Sequence, residues 1–154
     1  MEMNMFCYQC QETAKGVGCM LKGVCGKESH TAQAMDLLLF VVRGVSVVTD
    51  ALRKAGCPVP GEADVFVVDA LFSTITNANF DDESILDKGL ALRNRLMDEA
   101  KRNNVFLPEV DELSWQGTRA DYAEKAKSVG VLREPDEDLR SLKELLTYGL
   151  KGMA

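Results

Sequence analysis

Residues 30–55 read HTAQAMDLLLFVVRGVSVVTDALRKA, and this run decides the fold. Met35, Leu37, Leu38, Leu39, Phe40, Val41, Val42, Val45, Val47, Val48, Ala51 and Leu52 extend far beyond an ordinary strand of about five or six residues. Asp36, Arg43 and Asp50 interrupt them too often for a membrane span of about 20 apolar residues. A helix that is apolar on nearly all sides, yet too polar for lipid, belongs at the centre of a bundle. The β-branched valines and Gly44 pull toward a strand beginning near Leu39, but the length of the run favours helix. Gly56 and Pro58 supply a C-cap and a stop.

Downstream, Pro58-Val59-Pro60-Gly61 is a loop, and a second helix follows from Glu62 to about Ile75 with Val65, Phe66, Val68, Leu71 and Phe72 inward. Asn77-Ala78-Asn79-Phe80 breaks it. Asp81 or Asp82 caps a third helix whose Ile85, Leu86, Leu90, Leu92, Leu96, Met97 and Ala100 recur near the helical period, with Asp87, Arg95 and Asp98 facing water. Asn103-Asn104 and Pro108 close it. Trp115 reads as a core anchor ahead of a shorter helix over Thr118–Ser128, where Thr118-x-x-Asp121 resembles a capping box. From Asp136 onward, Leu139, Leu142, Leu145, Leu146, Leu150 and Met153 form a stripe that runs to Ala154 without a cap. We expect a fragment, or a subunit whose last helix docks on something else. The fold class expected is all-α, a helical bundle.

At 154 residues, 46% apolar and 27% charged, the chain can build one core. The simplest division is a loop module over residues 1–27 and a helical bundle over 28–154. The net charge of −6 argues against nucleic acid as a partner. Met1 to Met5 carry no basic region followed by an apolar run, and no later stretch suits a membrane, so a cytoplasmic protein is expected. No P-loop, dinucleotide-binding glycine fingerprint or His-Glu zinc-protease helix occurs. The single histidine, His30, stands at a helix start, where capping or surface placement outweighs catalysis.

Upstream of the long helix, four of the five cysteines fall in the first 25 residues as Cys7-x2-Cys10-x8-Cys19-x5-Cys25, among Gly16, Gly18, Gly23 and Gly26. Four thiolates in so short a stretch are what a metal or iron–sulfur centre requires, and the glycines let backbone N–H groups turn toward anionic sulfur. Zinc sites usually pair two C-x2-4-C knuckles across a longer excursion, and the ferredoxin run C-x2-C-x2-C-x3-C-P is absent. An iron–sulfur cluster leads, with zinc and plain or disulfide-paired thiols as alternatives; a reducing cytosol disfavours the disulfides. Cys57, in Gly56-Cys57-Pro58, reads as a half-buried thiol past a helix end. Lys15, Lys22 and Lys27 balance Glu2, Glu12 and Glu28, so the cysteine region is neutral. Those lysines would suit an anionic cluster, or simply solvated surface.

Met5-Phe6-Cys7-Tyr8-Gln9-Cys10-Gln11-Glu12-Thr13, then Gly18-Cys19, then Lys22-Gly23-Val24-Cys25-Gly26-Lys27, resembles the start of the hybrid-cluster proteins, also called prismane or hydroxylamine reductase proteins. The resemblance continues in Leu71-Phe72-Ser73-Thr74-Ile75-Thr76-Asn77-Ala78-Asn79-Phe80-Asp81 and in Leu145-Leu146-Thr147-Tyr148-Gly149-Leu150-Lys151-Gly152. It implies an N-terminal domain of two three-helix bundles and a [4Fe-4S] cubane on Cys7, Cys10, Cys19 and Cys25, since relatives with longer spacing carry [2Fe-2S]. It further implies an oxidoreductase parent acting on hydroxylamine or nitric oxide. The hybrid cluster of that parent is held by His, Glu and Cys residues of later α/β domains that this chain lacks. The implied role is therefore electron transfer without catalysis by the chain alone; the alternative is a non-catalytic interaction domain stabilised by an Fe–S cluster or zinc. The implied partners are a redox donor protein and the missing C-terminal domains, or a partner subunit, docking on the last helix.

Overall fold

The computed structural model describes residues 5–76 and 81–154, so the expected break at Asn77–Phe80 lies outside the described residues. Six α-helices are described: α1 Ser29–Lys54, α2 Glu62–Ile75, α3 Asp82–Arg102, α4 Asp111–Ser114, α5 Tyr122–Val129 and α6 Glu137–Met153. The only β pairing among the described residues is an isolated bridge between Cys7 and Cys19. The chain is all-α, and no described helix is long and apolar enough to cross a membrane.

The long apolar run is helical throughout, and no strand begins at Leu39. It ends where Gly56 N–H bonds to the Arg53 carbonyl (3.0 Å) and Cys57 N–H to the Leu52 carbonyl (2.9 Å), a Schellman closure. α1 packs against α2, α3, α4 and α5, which makes it the axis of the bundle. Toward its start, Leu37, Leu38, Phe40 and Val41 bury against Ala70 of α2, Leu86 and Leu90 of α3, and Tyr122 and Ala126 of α5. Toward its end, Val45, Val48 and Leu52 meet Ala63, Leu92, Leu96 and Ala100. Gly44, which weakened the helix reading, has a packing reason: a Cβ there would fall 2.7 Å from the Glu112 carbonyl oxygen of α4.

The helix starts follow local chemistry. Asp81 caps α3 by accepting from Ser84 N–H at 3.1 Å, and Asp136 caps α6 by accepting from Leu139 N–H at 2.9 Å. Asp121 accepts from the N–H and hydroxyl of Thr118, both at 2.8 Å, ahead of a 3-10 turn that leads into α5. Trp115 packs edge-on to Phe40 at 6.0 Å, the core anchor its sequence context suggested.

The facing of α2 differs from expectation. Ala63, Ala70, Leu71 and Thr74 are buried, with Phe66 and Val67 half-buried, while Val65, Val68 and Phe72 point outward. α2 is apolar around most of its circumference, so periodicity does not choose a face. Small side chains occupy the inner face at the contact with α1. α3 also carries a residue the sequence reading did not single out, Arg93, which is fully buried. Its guanidinium donates to the carbonyls of Glu112 (2.9 Å) and Trp115 (2.7 Å) and to Asn94 Oδ1 (2.9 Å), pinning the α4 segment to α3. Asp87 is half-buried rather than simply facing water, and it accepts from Arg119 and from the Tyr122 hydroxyl.

Candidate metal centre

The cysteine loop packs on the start of α1 through a small core of Met5, Cys7, Cys19, Ala32 and Met35. Its frame is the bridge in which Cys7 N–H donates to the Cys19 carbonyl (3.0 Å) and Cys19 N–H returns to the Cys7 carbonyl (2.9 Å). Between them the backbone turns through Thr13 N–H to the Cys10 carbonyl (3.3 Å) and a 3-10 turn at Ala14–Gly16. Gly18, at φ +143°, passes against Phe6, whose ring would lie 2.5 Å from a Cβ there. Cys25 sits in a second turn, closed by Gly26 N–H to the Gly23 carbonyl and Gly23 N–H to the Lys27 carbonyl, both 2.8 Å.

Cys7 and Cys19 are buried, while Cys10 and Cys25 are half-buried. Burial pushes the Cys7 thiol up to about 11, against a backbone N–H from Gln9. Burial also raises Cys19, but N–H groups of Ala14 (3.4 Å) and Val24, with the Thr13 hydroxyl, outweigh it and hold the thiol below its ordinary value. Because Val24 reaches Cys19, the Cys25 turn is tied to the Cys7–Cys19 bridge. At Cys19 the backbone donors prevail and favour thiolate, the donor form that a metal or cluster takes, whereas at Cys7 burial prevails over the Gln9 N–H. Among the described residues no three Cys, His, Asp or Glu side chains come close enough to grip one ion. Cys57 packs in the core near the end of α1, apart from this loop, and His30 is exposed on the first turn of α1.

The loop is also held from the far end of the chain. The Tyr148 hydroxyl of α6 donates to the carbonyls of Tyr8 (3.1 Å) and Cys10 (2.8 Å). One turn on, Lys151 Nζ donates to the Gln9 carbonyl (3.0 Å) and to Gln9 Oε1. Gln9 Nε2 donates in turn to Asp36 Oδ1 of α1 at 2.6 Å. Gln9 and Lys151 are almost entirely buried. Loss of water lowers the Lys151 ammonium to about 8, while Glu144, Cys7, Asp36 and Cys10 oppose the fall. Burial raises the Asp36 carboxyl, against the Gln9 hydrogen bond. These four residues were not among the sequence candidates. Their signal was the three-residue spacing of Tyr148 and Lys151 on the helix side opposite much of the leucine stripe. Of the lysines nominated from the sequence, Lys22 pairs with Glu28 at 4.0 Å and Lys27 donates to the Thr74 carbonyl (3.2 Å).

The sequence profile of the Prismane/CO dehydrogenase family matches residues 5–153. The chain is 58% identical over 99% of its length to a hydroxylamine reductase of Bacteroides thetaiotaomicron, covering 28% of that protein. It is 50% identical over its full length to one of Porphyromonas gingivalis (29% of that protein) and 48% identical over 97% to one of Nitratidesulfovibrio vulgaris (29%). The chain thus spans under a third of the relatives it matches, corresponding to their N-terminal part. With nearly every residue inside the matched region, the chain belongs to the Prismane/CO dehydrogenase family.

Proposed function

We propose that Cys7, Cys10, Cys19 and Cys25 hold one [4Fe-4S] cluster and that this chain is the electron-transfer region of a longer hydroxylamine reductase. The observation that carries the reading is the backbone donation to sulfur around the Cys7–Cys19 bridge, in a family whose membership implies iron–sulfur cofactors. When bound, such a cluster supplies one-electron uptake and release. The chain's own residues do the rest: four thiolates saturate the centre, Gln9, Ala14 and Val24 N–H groups stabilise sulfur, and Met35 with Ala32 screens one side from water. Because those ligands leave no open coordination position, hydroxylamine chemistry belongs to the remaining part of the longer protein, where a hybrid cluster would receive the electrons. A cytoplasmic redox protein would be the donor.

The helical surface favours a docking role alongside this one. Leu142, Leu145, Leu146 and Met153 of α6 are 63–84% exposed, because α6 turns Tyr148 and Lys151 inward. The occupant of that face is the remaining, larger part of the relatives' length. Anaerobic reconstitution followed by iron and acid-labile sulfide analysis tests the proposal. About four of each per chain, with visible absorbance that bleaches on dithionite, is the expected result. A colourless protein that takes up zinc instead leaves only the interaction-domain reading.

A further inference from the structure

Lys151 is the buried cation that reaches the cysteine loop. It is 3% exposed, yet its ammonium is hydrogen-bonded to the two neutral oxygens of Gln9. A cation withdrawn from water is costly unless an anion repays it. Carboxylates contribute at longer range, from Glu144 on its own helix and Asp36 across Gln9. Gln9 lies between Cys7 and Cys10 in the chain, so an ammonium on its two oxygens is held against the ligand segment, with the Asp36 carboxyl that accepts from Gln9 as the nearby charge of opposite sign. Tyr148 and Lys151 together cap three consecutive carbonyls, Tyr8, Gln9 and Cys10, so the ammonium is fixed over the Cys7–Cys10 segment and not free to swing.

We infer that Lys151 is a potential-setting residue: its buried ammonium, held on Gln9, stabilises the reduced form of the centre bound by Cys7 and Cys10 and raises its reduction potential. The inference rests on the cluster reading above. One-electron reduction adds one negative charge at the centre and makes or breaks no bond, so a fixed cation close by favours the product over the reactant. Water screens exposed charges, which leaves Lys15 and Lys22 with little influence; Lys151 has almost no water contact.

The test uses the 154-residue chain, reconstituted anaerobically, with the midpoint potential read by mediated titration on samples whose iron and sulfide have been counted. Lys151→Gln keeps a side-chain N–H for Gln9 but removes the charge. We expect the reduction equilibrium to fall about tenfold, which for one electron is about 59 mV. Lys151→Arg keeps the charge and should stay near the parent value. Tyr148→Phe removes hydrogen bonds to the same segment without changing charge, and should shift the midpoint far less than Lys151→Gln. Should Lys151→Gln fail to load, Lys151→Met, of similar length and without charge, is read in its place, with the same fall expected. An unchanged midpoint in fully loaded Lys151→Gln or Lys151→Met, or failure of both to load while Lys151→Arg loads, overturns the inference and leaves Lys151 as a pin for the loop. Failure of the parent chain to bind iron and sulfide is a different result, which defeats the cluster reading and this inference with it.

Discussion

Two buried cations, one in the helical body and one at the cysteine loop, show how differently the two regions are held. Arg93 is fully buried and spends its guanidinium on the Glu112 and Trp115 carbonyls and the Asn94 side chain, so its hydrogen bonds close a joint between helices that already share an apolar core. Lys151 is as deeply placed, but it meets a loop with a core of only Met5, Cys7, Cys19, Ala32 and Met35. The body closes two apolar clusters along α1. The loop depends on polar contacts from α1 and α6 and, on our proposal, on a bound cluster.

The comparison breaks most sharply at the cysteines. Cys19→Ala should reduce iron and acid-labile sulfide to background, with Cys57→Ala retaining both, because Cys57 packs in the body. Full iron retention in Cys19→Ala would falsify the ligand assignment. In the body, Phe40→Ala removes a ring that is 2% exposed and packed on Trp115, and should cost about 3–5 kcal/mol in urea unfolding. Arg93→Met leaves the Glu112 and Trp115 carbonyls without that donor, an expected loss of about 3 kcal/mol by the same measurement. A loss below 1 kcal/mol would mean that water or neighbouring groups replace the guanidinium. Stripping iron should leave the helical circular dichroism nearly intact while loosening the loop, so that trypsin cuts faster after Lys15 and Lys22; wholesale loss of helix would show that the body depends on the loop. The smallest effect belongs to Leu145→Lys on the outer face of α6, 71% exposed, which should change stability by less than about 0.5 kcal/mol. A larger loss would place that leucine in a contact the exposed face does not show.

Helix positions were legible because their causes are local. Residues 30–55 contain nearly all of α1, Glu62 opens α2 as read, and Asp81 and Asp136 carry the caps their side chains suggested. Faces were less legible. α2 offers apolar residues on every side, and α6 presents two plausible inner faces, one of leucines and one bearing Tyr148 and Lys151. The four residues of α4 are too few to leave a periodic trace.

By itself the sequence determined the all-α class, through apolar runs longer than strands, and the candidate ligands, through four cysteines whose spacing brings thiolates together over a short contour. Only the tertiary structure decided which charge lies beside them. Lys15, Lys22 and Lys27 are the neighbours in sequence, yet the buried ammonium comes from Lys151, 142 residues from Gln9. Lys151 is bound by the backbone carbonyl and the side-chain oxygen of Gln9, and neither a carbonyl that every residue carries nor one glutamine marks in the sequence which distant lysine it will meet. That pairing is fixed by how α6 lies against α1 and the loop, and with it the electrostatics of the candidate centre.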